Sequence, residues 1–305
     1  MAERFHSEYE VFVGRDMEGH EYRITPEMIR LYEDGTEDRH EWYSGPSPFG
    51  GPVAPALLLH SEVYKNLSWY LPNLIGNLHA KQEWEIFHPM LVGEMVRTRS
   101  TVVERYVKRN REYVVNEVVI TGADGRWLQR SRTHQSFLLE HSASPAANTP
   151  VSREGQEGGF VVDKDREKRP ERQFAIGEGP GPELSGVNKT ITVAMCQAFS
   201  GPHRSYHTDR EMAQAMGFPD IVVQGMMSVC FLSEVMTRNF GAGWFCGGKL
   251  NVNLVNVVWP NERLVATGKV RQELPEGAKT RVHVDIWCEK ADGVKTIVGT
   301  ASALR

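Results

Sequence analysis

The hydrophobic and polar positions of this chain follow two different periods, and each period recurs once in either half. Residues 54–70 and 225–240 are apolar around most of a helical circumference, which predicts a helix buried on nearly all sides. Residues 114–120 and 282–286 instead alternate between two faces, and an Asp-Gly turn follows each run, which predicts antiparallel strands. The pattern therefore predicts, twice, a buried helix against an antiparallel sheet.

The two halves also share short blocks of sequence in the same order. Three blocks recur at offsets of 167, 172 and 168 residues: Ile24-Thr25 as Ile191-Thr192, Ser61-Glu62-Val63 as Ser233-Glu234-Val235, and Ala123-Asp124-Gly125 as Ala291-Asp292-Gly293. Loops of unequal length account for offsets that differ by a few residues, so we predict two copies of one unit. A short helix, over residues 26–32 or 192–199, is expected to open each copy.

The predicted copies occupy residues 1–140 and 183–305, and a linker joins them. Residues 141–182 are rich in Ser, Pro, Gly and charge, with few large apolar side chains. Such a segment cannot bury enough surface to fold independently. We therefore expect two folded units joined by a polar connection.

Composition excludes several classes of function. The 305 residues carry a formal net charge of −4, which provides no basic surface for nucleic acid. The N-terminus is polar and no segment has eighteen uninterrupted apolar residues, so we expect no membrane partner and a cytoplasmic location. The four cysteines are widely spaced without a CxxC pair, so we expect no metal site.

Several short motifs surround the two predicted central helices. In the first copy, residues 50–55 lead into the apolar stretch and residues 79–94 follow it; in the second, Gly217-Phe218-Pro219 and Gln224-Gly225-Met226 follow His207. These motifs resemble those of the MaoC-like, R-specific enoyl-CoA hydratase/dehydratase group. The resemblance implies an α+β double hot-dog fold, in which two antiparallel sheets each wrap around a central helix and form a pseudo-dimer. A homodimer of the whole chain is compatible with that fold.

The working motif of that group is Gly-Asp-x-Asn-Pro-x-His, in which the Asp and the His handle protons around a water molecule. In the second copy, Gly201 and His207 occupy the Gly and His positions. Pro202 stands at the Asp position, Arg204 at the Asn position and Ser205 at the Pro position. The second copy therefore keeps the imidazole and lacks the carboxylate.

The first copy departs from the motif in the opposite way. Asp38 stands at the Asp position, with His40 at the Asn position and Tyr43 at the His position. Neither copy holds the complete pair, which predicts a non-standard acid/base set. Asp38 and His40 are catalytic candidates and Tyr43 is a candidate substrate contact, and the sequence leaves open which of the two loops works.

Adding water to a double bond conjugated with a carbonyl requires a group that takes a proton from water, a group that delivers a proton to carbon, and donors for the enolate oxygen. We expect His207 to move these protons because imidazole titrates near neutral pH. His203 or Tyr206 would replace the missing carboxylate. Backbone N–H groups near Gly225 would face the thioester oxygen, because the first turn of a helix leaves its donors unpaired.

Two further residues complete the candidate site. Arg204 would pair with an anionic group of the substrate, and Gln224 would orient a histidine of the loop. Each assignment has an ordinary alternative. Arg204 could form a surface ion pair, the segment after His207 could cap a helix, and Asp38 could be a solvated loop residue.

These residues and the resemblance together imply a lyase. It would add or remove water at an α,β-unsaturated acyl thioester on coenzyme A or a carrier protein, with no cofactor beyond the coenzyme A or phosphopantetheine of the substrate. One alternative is a hot-dog enzyme with a changed reaction, either a thioesterase or a lyase acting on a small non-thioester substrate. Another is a non-catalytic acyl-binding subunit.

Overall fold

The computed structural model describes residues 11–67, 78–108, 111–138 and 172–305. The strands there are β1 (Glu21–Arg23), β2 (Leu78–Ile86), β3 (Met95–Lys108), β4 (Arg111–Gly122), β5 (Trp127–Leu138), β6 (Val187–Thr190), β7 (Lys249–Leu254), β8 (Arg263–Glu276), β9 (Lys279–Lys290) and β10 (Lys295–Leu304). The helices are α1 (Pro26–Thr36), α2 (Glu62–Leu67), α3 (Val193–Ser200), α4 (Arg210–Ala215), α5 (Gly225–Phe240) and α6 (Ala242–Phe245), with a 3₁₀ turn over Glu41–Tyr43.

The strands form one ten-stranded sheet in the order β1-β3-β4-β5-β2-β7-β10-β9-β8-β6. All of the described strand pairs are antiparallel. The two copies meet where β2 pairs with β7, and Glu83 lies opposite Asn251, its own equivalent 168 residues later. The two predicted sheets are therefore halves of one sheet related by a pseudo-twofold axis, which confirms the double hot-dog fold.

The duplication extends to local irregularities of the backbone. Strands β3 and β4 have bounds that recur 168 residues later in β8 and β9. The register shift between Val102 and Glu104 recurs between Val270 and Gln272. Both copies also turn through a left-handed residue before the long strands. Residue 93 is a Gly, whereas residue 261 is an Asn, the residue that tolerates this conformation best after Gly.

The short helices that open each copy begin at equivalent caps. The Thr25 hydroxyl accepts a hydrogen bond from the Met28 N–H, and the Thr192 hydroxyl accepts one from the Met195 N–H. Such caps satisfy a backbone donor that the helix cannot pair itself. The two predicted opening helices are confirmed, and the first extends four residues further than the sequence pattern predicts.

The two central helices differ. Helix α5 spans Gly225–Phe240, and every side chain from residue 226 to residue 237 is buried, as its apolar circumference predicts. In the first copy, residues 55–61 form successive turns closed by hydrogen bonds between residues three apart, and the helix begins only at Glu62. The prediction of a helix from residue 54 is therefore wrong for its first half, and residues 68–70 lie outside the described part of the chain. Within that part, no helix is long and apolar enough to cross a membrane.

The helix-facing side of the sheet changes character between the copies. In the second copy it is apolar and lies under α5. At seven equivalent positions the first copy is polar and buried instead: Gln82, Thr98, Asn116, Gln129, Ser131, Thr133 and Gln135 stand where the second copy has Leu250, Ala266, Val284, Ile297, Gly299, Ala301 and Ala303. Buried polar groups must find hydrogen-bond partners, so this face has requirements that an apolar helix cannot meet.

Candidate active site

The first motif loop, and the helix α3 that leads into the second, each lie near the central helical segment of the other copy. In the first loop, the Glu37 carbonyl oxygen accepts a hydrogen bond of 2.9 Å from Lys189 Nζ, and that ammonium lies 3.0 Å from Glu234 Oε2 on α5. In the second half, the Phe199 ring stacks on His60, with centroids 4.0 Å apart. The pseudo-twofold axis therefore creates two equivalent sites, which we call the Asp38 site and the His207 site.

Asp38 is a buried carboxyl group, with 3% of its surface exposed. The Tyr43 hydroxyl donates a hydrogen bond of 2.7 Å to Asp38 Oδ2. Burial raises the pKa of Asp38 to about 7, and the neighbouring Glu234 adds to the rise. The Tyr43 hydrogen bond and the cations Lys189 and Arg238 offset part of it. The alternative that Asp38 is a solvated loop residue is thus wrong.

Charged side chains of the second copy close the Asp38 site. Glu234 is buried in the middle of α5 and pairs with Lys189 and Arg238. The Lys189 side chain is itself only 7% exposed. These groups, together with Tyr43, surround the carboxyl of Asp38 with protein rather than with solvent.

His40 caps the 3₁₀ turn beside Asp38. Its Nδ1 accepts a hydrogen bond of 3.2 Å from the Trp42 N–H, and its ring lies beside those of Trp42 and Tyr43. Burial lowers the pKa of His40, so the ring is held neutral with Nδ1 already engaged. His40 therefore lies beside Asp38 and also caps the 3₁₀ turn through its bond to the Trp42 N–H.

The substitution Asp38→Asn is expected to stabilise the protein more at pH 8 than at pH 4. The pKa of Asp38 is about 7 in the folded chain, against 3.8 for an unperturbed group, so the folded state holds a proton that the unfolded state releases. The free energy of unfolding of the native protein should therefore fall as pH rises from about 4 to about 7. The amide stays neutral, and the variant should gain roughly 3–4 kcal/mol relative to the native protein across this window. Urea titrations of both proteins at each pH measure the difference, and a gap independent of pH would contradict the assignment.

In the His207 site, a backbone carbonyl fixes the imidazole of His207. The Val222 carbonyl oxygen lies 2.7 Å from His207 Nδ1, which places the proton on that nitrogen and leaves a lone pair on Nε2. The side chain is half-buried. Burial lowers its pKa to about 4, so the imidazole is neutral at physiological pH. Its Nε2 is therefore free to accept a proton.

Tyr206 places a hydroxyl-bearing ring against His207, with the ring centroids 3.9 Å apart. Burial raises the pKa of Tyr206 to about 12, so the phenol keeps its proton. Tyr206 also lies near enough to Tyr64, on α2 of the first copy, to raise the pKa of that group. The Tyr64 hydroxyl in turn hydrogen-bonds to His79 Nδ1 at 2.7 Å. The His207 site therefore combines groups from both copies.

The start of α5 lies next to this loop. The Val222 N–H donates a hydrogen bond of 3.0 Å to the Tyr206 carbonyl, and Gln224 Oε1 accepts one of 3.2 Å from the Ser200 hydroxyl. Gln224 thus binds the residue before the motif rather than a histidine of it. The result is that the first turn of α5, beginning at Gly225, stands beside the His207 loop.

The other two candidates of the loop face solvent. His203 is exposed. The Arg204 side chain is 65% exposed and pairs with Asp209 at 2.8 Å and with Glu211 at 3.3 Å. Asp209 also caps α4 by accepting a hydrogen bond from the Met212 N–H. The ion pair and the helix cap that the sequence left open as alternatives are therefore both present.

The residues that sequence reasoning missed are those that one copy contributes to the site of the other: Lys189, Glu234, Arg238, Tyr64, His79 and Gln135. One signal was available, since Glu62 and Glu234 are charged residues that recur within otherwise apolar stretches. In the described ranges, no three His, Cys, Asp or Glu side chains come together as a metal site would require. A groove of about 370 Å³ crosses the opposite face of the sheet at the junction of the copies and contains none of the predicted site residues.

Comparison with known proteins agrees with this architecture. Residues 171–298 match the family described as MaoC like domain, and residues 11–129 match the FAS1-like, dehydratase domain region. No curated protein matches the chain in sequence.

Solved structures share the fold over almost the whole chain. A putative MaoC domain protein dehydratase from Chloroflexus aurantiacus J-10-fl is 13% identical, with 96% of this chain and 95% of that chain covered at a TM-score of 0.67. A MaoC-like dehydratase from Phytophthora capsici is 14% identical, with 97% and 95% covered at 0.67. A Mycobacterium tuberculosis protein with a double hotdog fold is 13% identical, with 96% of both chains covered at 0.62. The two family matches, one in each copy, together span most of the chain, and they confirm its resemblance to MaoC-like dehydratases of the double hot-dog fold.

Proposed function

We propose that this protein adds water to, or eliminates water from, an α,β-unsaturated acyl thioester of coenzyme A or a carrier protein, and that the His207 site carries the reaction. The observation that supports this most directly is the anchored imidazole. Val222 fixes the Nδ1 proton of His207, which leaves Nε2 unprotonated beside the Tyr206 ring and the first turn of α5.

In the hydration direction, His207 Nε2 takes a proton from water as the water oxygen bonds to the β-carbon of the acyl group. Electrons move onto the thioester oxygen, and backbone N–H groups near Gly225 stabilise the enolate. The imidazolium then returns its proton to the α-carbon. Tyr206 keeps its own proton because its pKa is about 12, so its part is to hold the water by hydrogen bonding rather than to ionise. Dehydration follows the same steps in reverse.

In this proposal the Asp38 site stabilises the fold and takes no part in the reaction. Asp38 is 3% exposed, with Tyr43 and charged groups of the second copy around its carboxyl, so it has little contact with water. His203 and Arg204 also stand outside the acid/base set, because the first is exposed and the second is paired on the surface. One imidazole, helped by a neutral phenol, thus replaces the Asp–His pair of the family motif.

The purified protein should hydrate short enoyl-CoA thioesters without releasing coenzyme A. Loss of the conjugated double bond and appearance of free thiol are followed in the same reaction. Double-bond loss alone supports the proposal. Release of thiol would instead favour a thioesterase, and saturable binding without either change would favour a non-catalytic acyl-binding subunit.

A further inference from the structure

We propose that the polar sheet face of the first copy is a subsite for the far end of the acyl group, and that it selects an uncharged hydrogen-bonding group there, such as a hydroxyl. This inference rests on the proposed function, since it extends the substrate from the His207 site into the first copy. Three independent observations support it: an unpaired buried amide, its neutral neighbours, and the contrast with the second copy.

The amide of Gln135 has no partner in the described part of the chain. Gln135 is 1% exposed, and neither its Oε1 nor its Nε2 makes a hydrogen bond of ordinary geometry. The amide does approach the Tyr64 hydroxyl, outside hydrogen-bond geometry, and this contact lowers the pKa of Tyr64. A buried amide without partners costs free energy, so a glutamine at this position is best explained by a group that binds it during function.

His79 lies directly opposite Gln135 where β2 pairs with β5. Its Nδ1 is hydrogen-bonded to the Tyr64 hydroxyl, while its Nε2 is buried without a hydrogen-bond partner in the described ranges. Tyr64, His79 and Gln135 thus lie together, and the amide of Gln135 and Nε2 of His79 keep hydrogen-bonding capacity that the described residues do not use. Tyr206 lies near enough to Tyr64 to raise its pKa, which links this cluster to the His207 site.

The character of this cluster specifies its ligand. Burial lowers the pKa of His79 to about 4 and raises that of Tyr64 well above its usual range, and Gln135 does not titrate. The cluster is therefore uncharged at neutral pH, and a carboxylate placed against it would lack a counter-charge. A plain alkyl end would leave the amide unpaired, whereas a hydroxyl or carbonyl satisfies it.

The second copy shows that the fold itself does not require these polar groups. The position equivalent to Gln135 is Ala303, and that of Gln82 is Leu250, both packed into the apolar core. Gln129, on the same strand and face as Gln135, bonds to Ala56 and Trp84 of its own copy. Gln129 therefore stabilises the fold, whereas the amide of Gln135 is available to bind a ligand.

The test compares pairs of short enoyl-CoA thioesters that are identical except that one ends in a methyl group and the other in a hydroxymethyl group. The native protein should prefer the hydroxylated member by at least about tenfold in kcat/KM, the effect of one hydrogen bond to a buried group. Gln135→Met keeps the side-chain volume, and it should bring the ratio of the two kcat/KM values close to one. Equal use of both members by the native protein, or an unchanged ratio in the variant, would overturn the subsite.

Gln129→Met is the matched control. It strips the partners from Trp84 and Ala56, so it should lower the melting temperature without altering the preference. Gln135→Met should instead keep or raise the melting temperature, and a loss as large as that of Gln129→Met would mean that Gln135 is structural. Binding of the saturated thioesters to His207→Gln reports the subsite without turnover. If binding discriminates but no enoyl thioester reacts, the proposed reaction fails and the subsite stands.

Discussion

His207→Gln is expected to lower kcat for hydration by about 10²–10⁴-fold, the usual contribution of a positioned acid/base group. The glutamine amide can still donate to the Val222 carbonyl, so the loop should keep its shape while Nε2 is lost as a proton acceptor. Steady-state rates on a short enoyl-CoA thioester measure the effect. Full retention of the rate would remove His207 from the reaction.

His203→Gln is the control for this loop because His203 is exposed four residues away. It should leave kcat within about twofold, since exposed side chains outside the site contribute little. The pH profile provides a second readout. The base works unprotonated and its pKa is about 4, so kcat/KM should fall only as the pH drops below about 5 and should be level toward neutrality. A midpoint near the unperturbed imidazole value would contradict the lowered pKa of His207, and persistence of that midpoint in His207→Gln would mean that another group is the base.

Elements whose partners lie within one copy were predictable from the sequence. The apolar circumference of residues 225–240 gave the bounds of α5 because most of the contacts of this helix are made with the strands of its own copy. The predicted start of the first central helix was wrong because residues 55–61 form short turns over the polar sheet face of the first copy. The hydrophobic periodicity of residues 54–70 carries no information about the polarity of that face. The repeat offsets predicted the duplication correctly, because the long strands and their register shifts depend on pairing within each copy.

The candidate site was only partly predictable because its contacts cross between copies. His207 could be found from its motif, and its neighbours Tyr206 and Gln224 lie close in sequence. The enclosure of Asp38 could not be predicted, because Glu234 approaches it from a helix almost two hundred residues away in sequence. Arg204 shows the converse case. It was predicted to bind an anionic group of the substrate, but it pairs instead with Asp209, only five residues away.

Lys189→Met is expected to destabilise the protein by about 3–5 kcal/mol, the cost of removing one partner from a buried ion pair. Lys189 Nζ lies 3.0 Å from Glu234, whose side chain has no solvent exposure, and it also donates to the Glu37 carbonyl of the first copy. After the substitution, Glu234 keeps only the half-exposed Arg238, and the contact between the copies loses a hydrogen bond. Urea denaturation measures the change in the free energy of unfolding.

Two further variants determine whether this loss comes from the buried charge. Arg97→Met removes an exposed partner of Glu21 and should change stability by less than about 1 kcal/mol. The double variant Lys189→Met with Glu234→Leu removes the stranded carboxylate as well, so it should recover a large part of the stability lost in the single variant. A double variant that is as unstable as the sum of both single changes would show that Lys189 acts by packing and by its bond to Glu37. In that case the charge that encloses Asp38 would not be what holds the two copies together at this site.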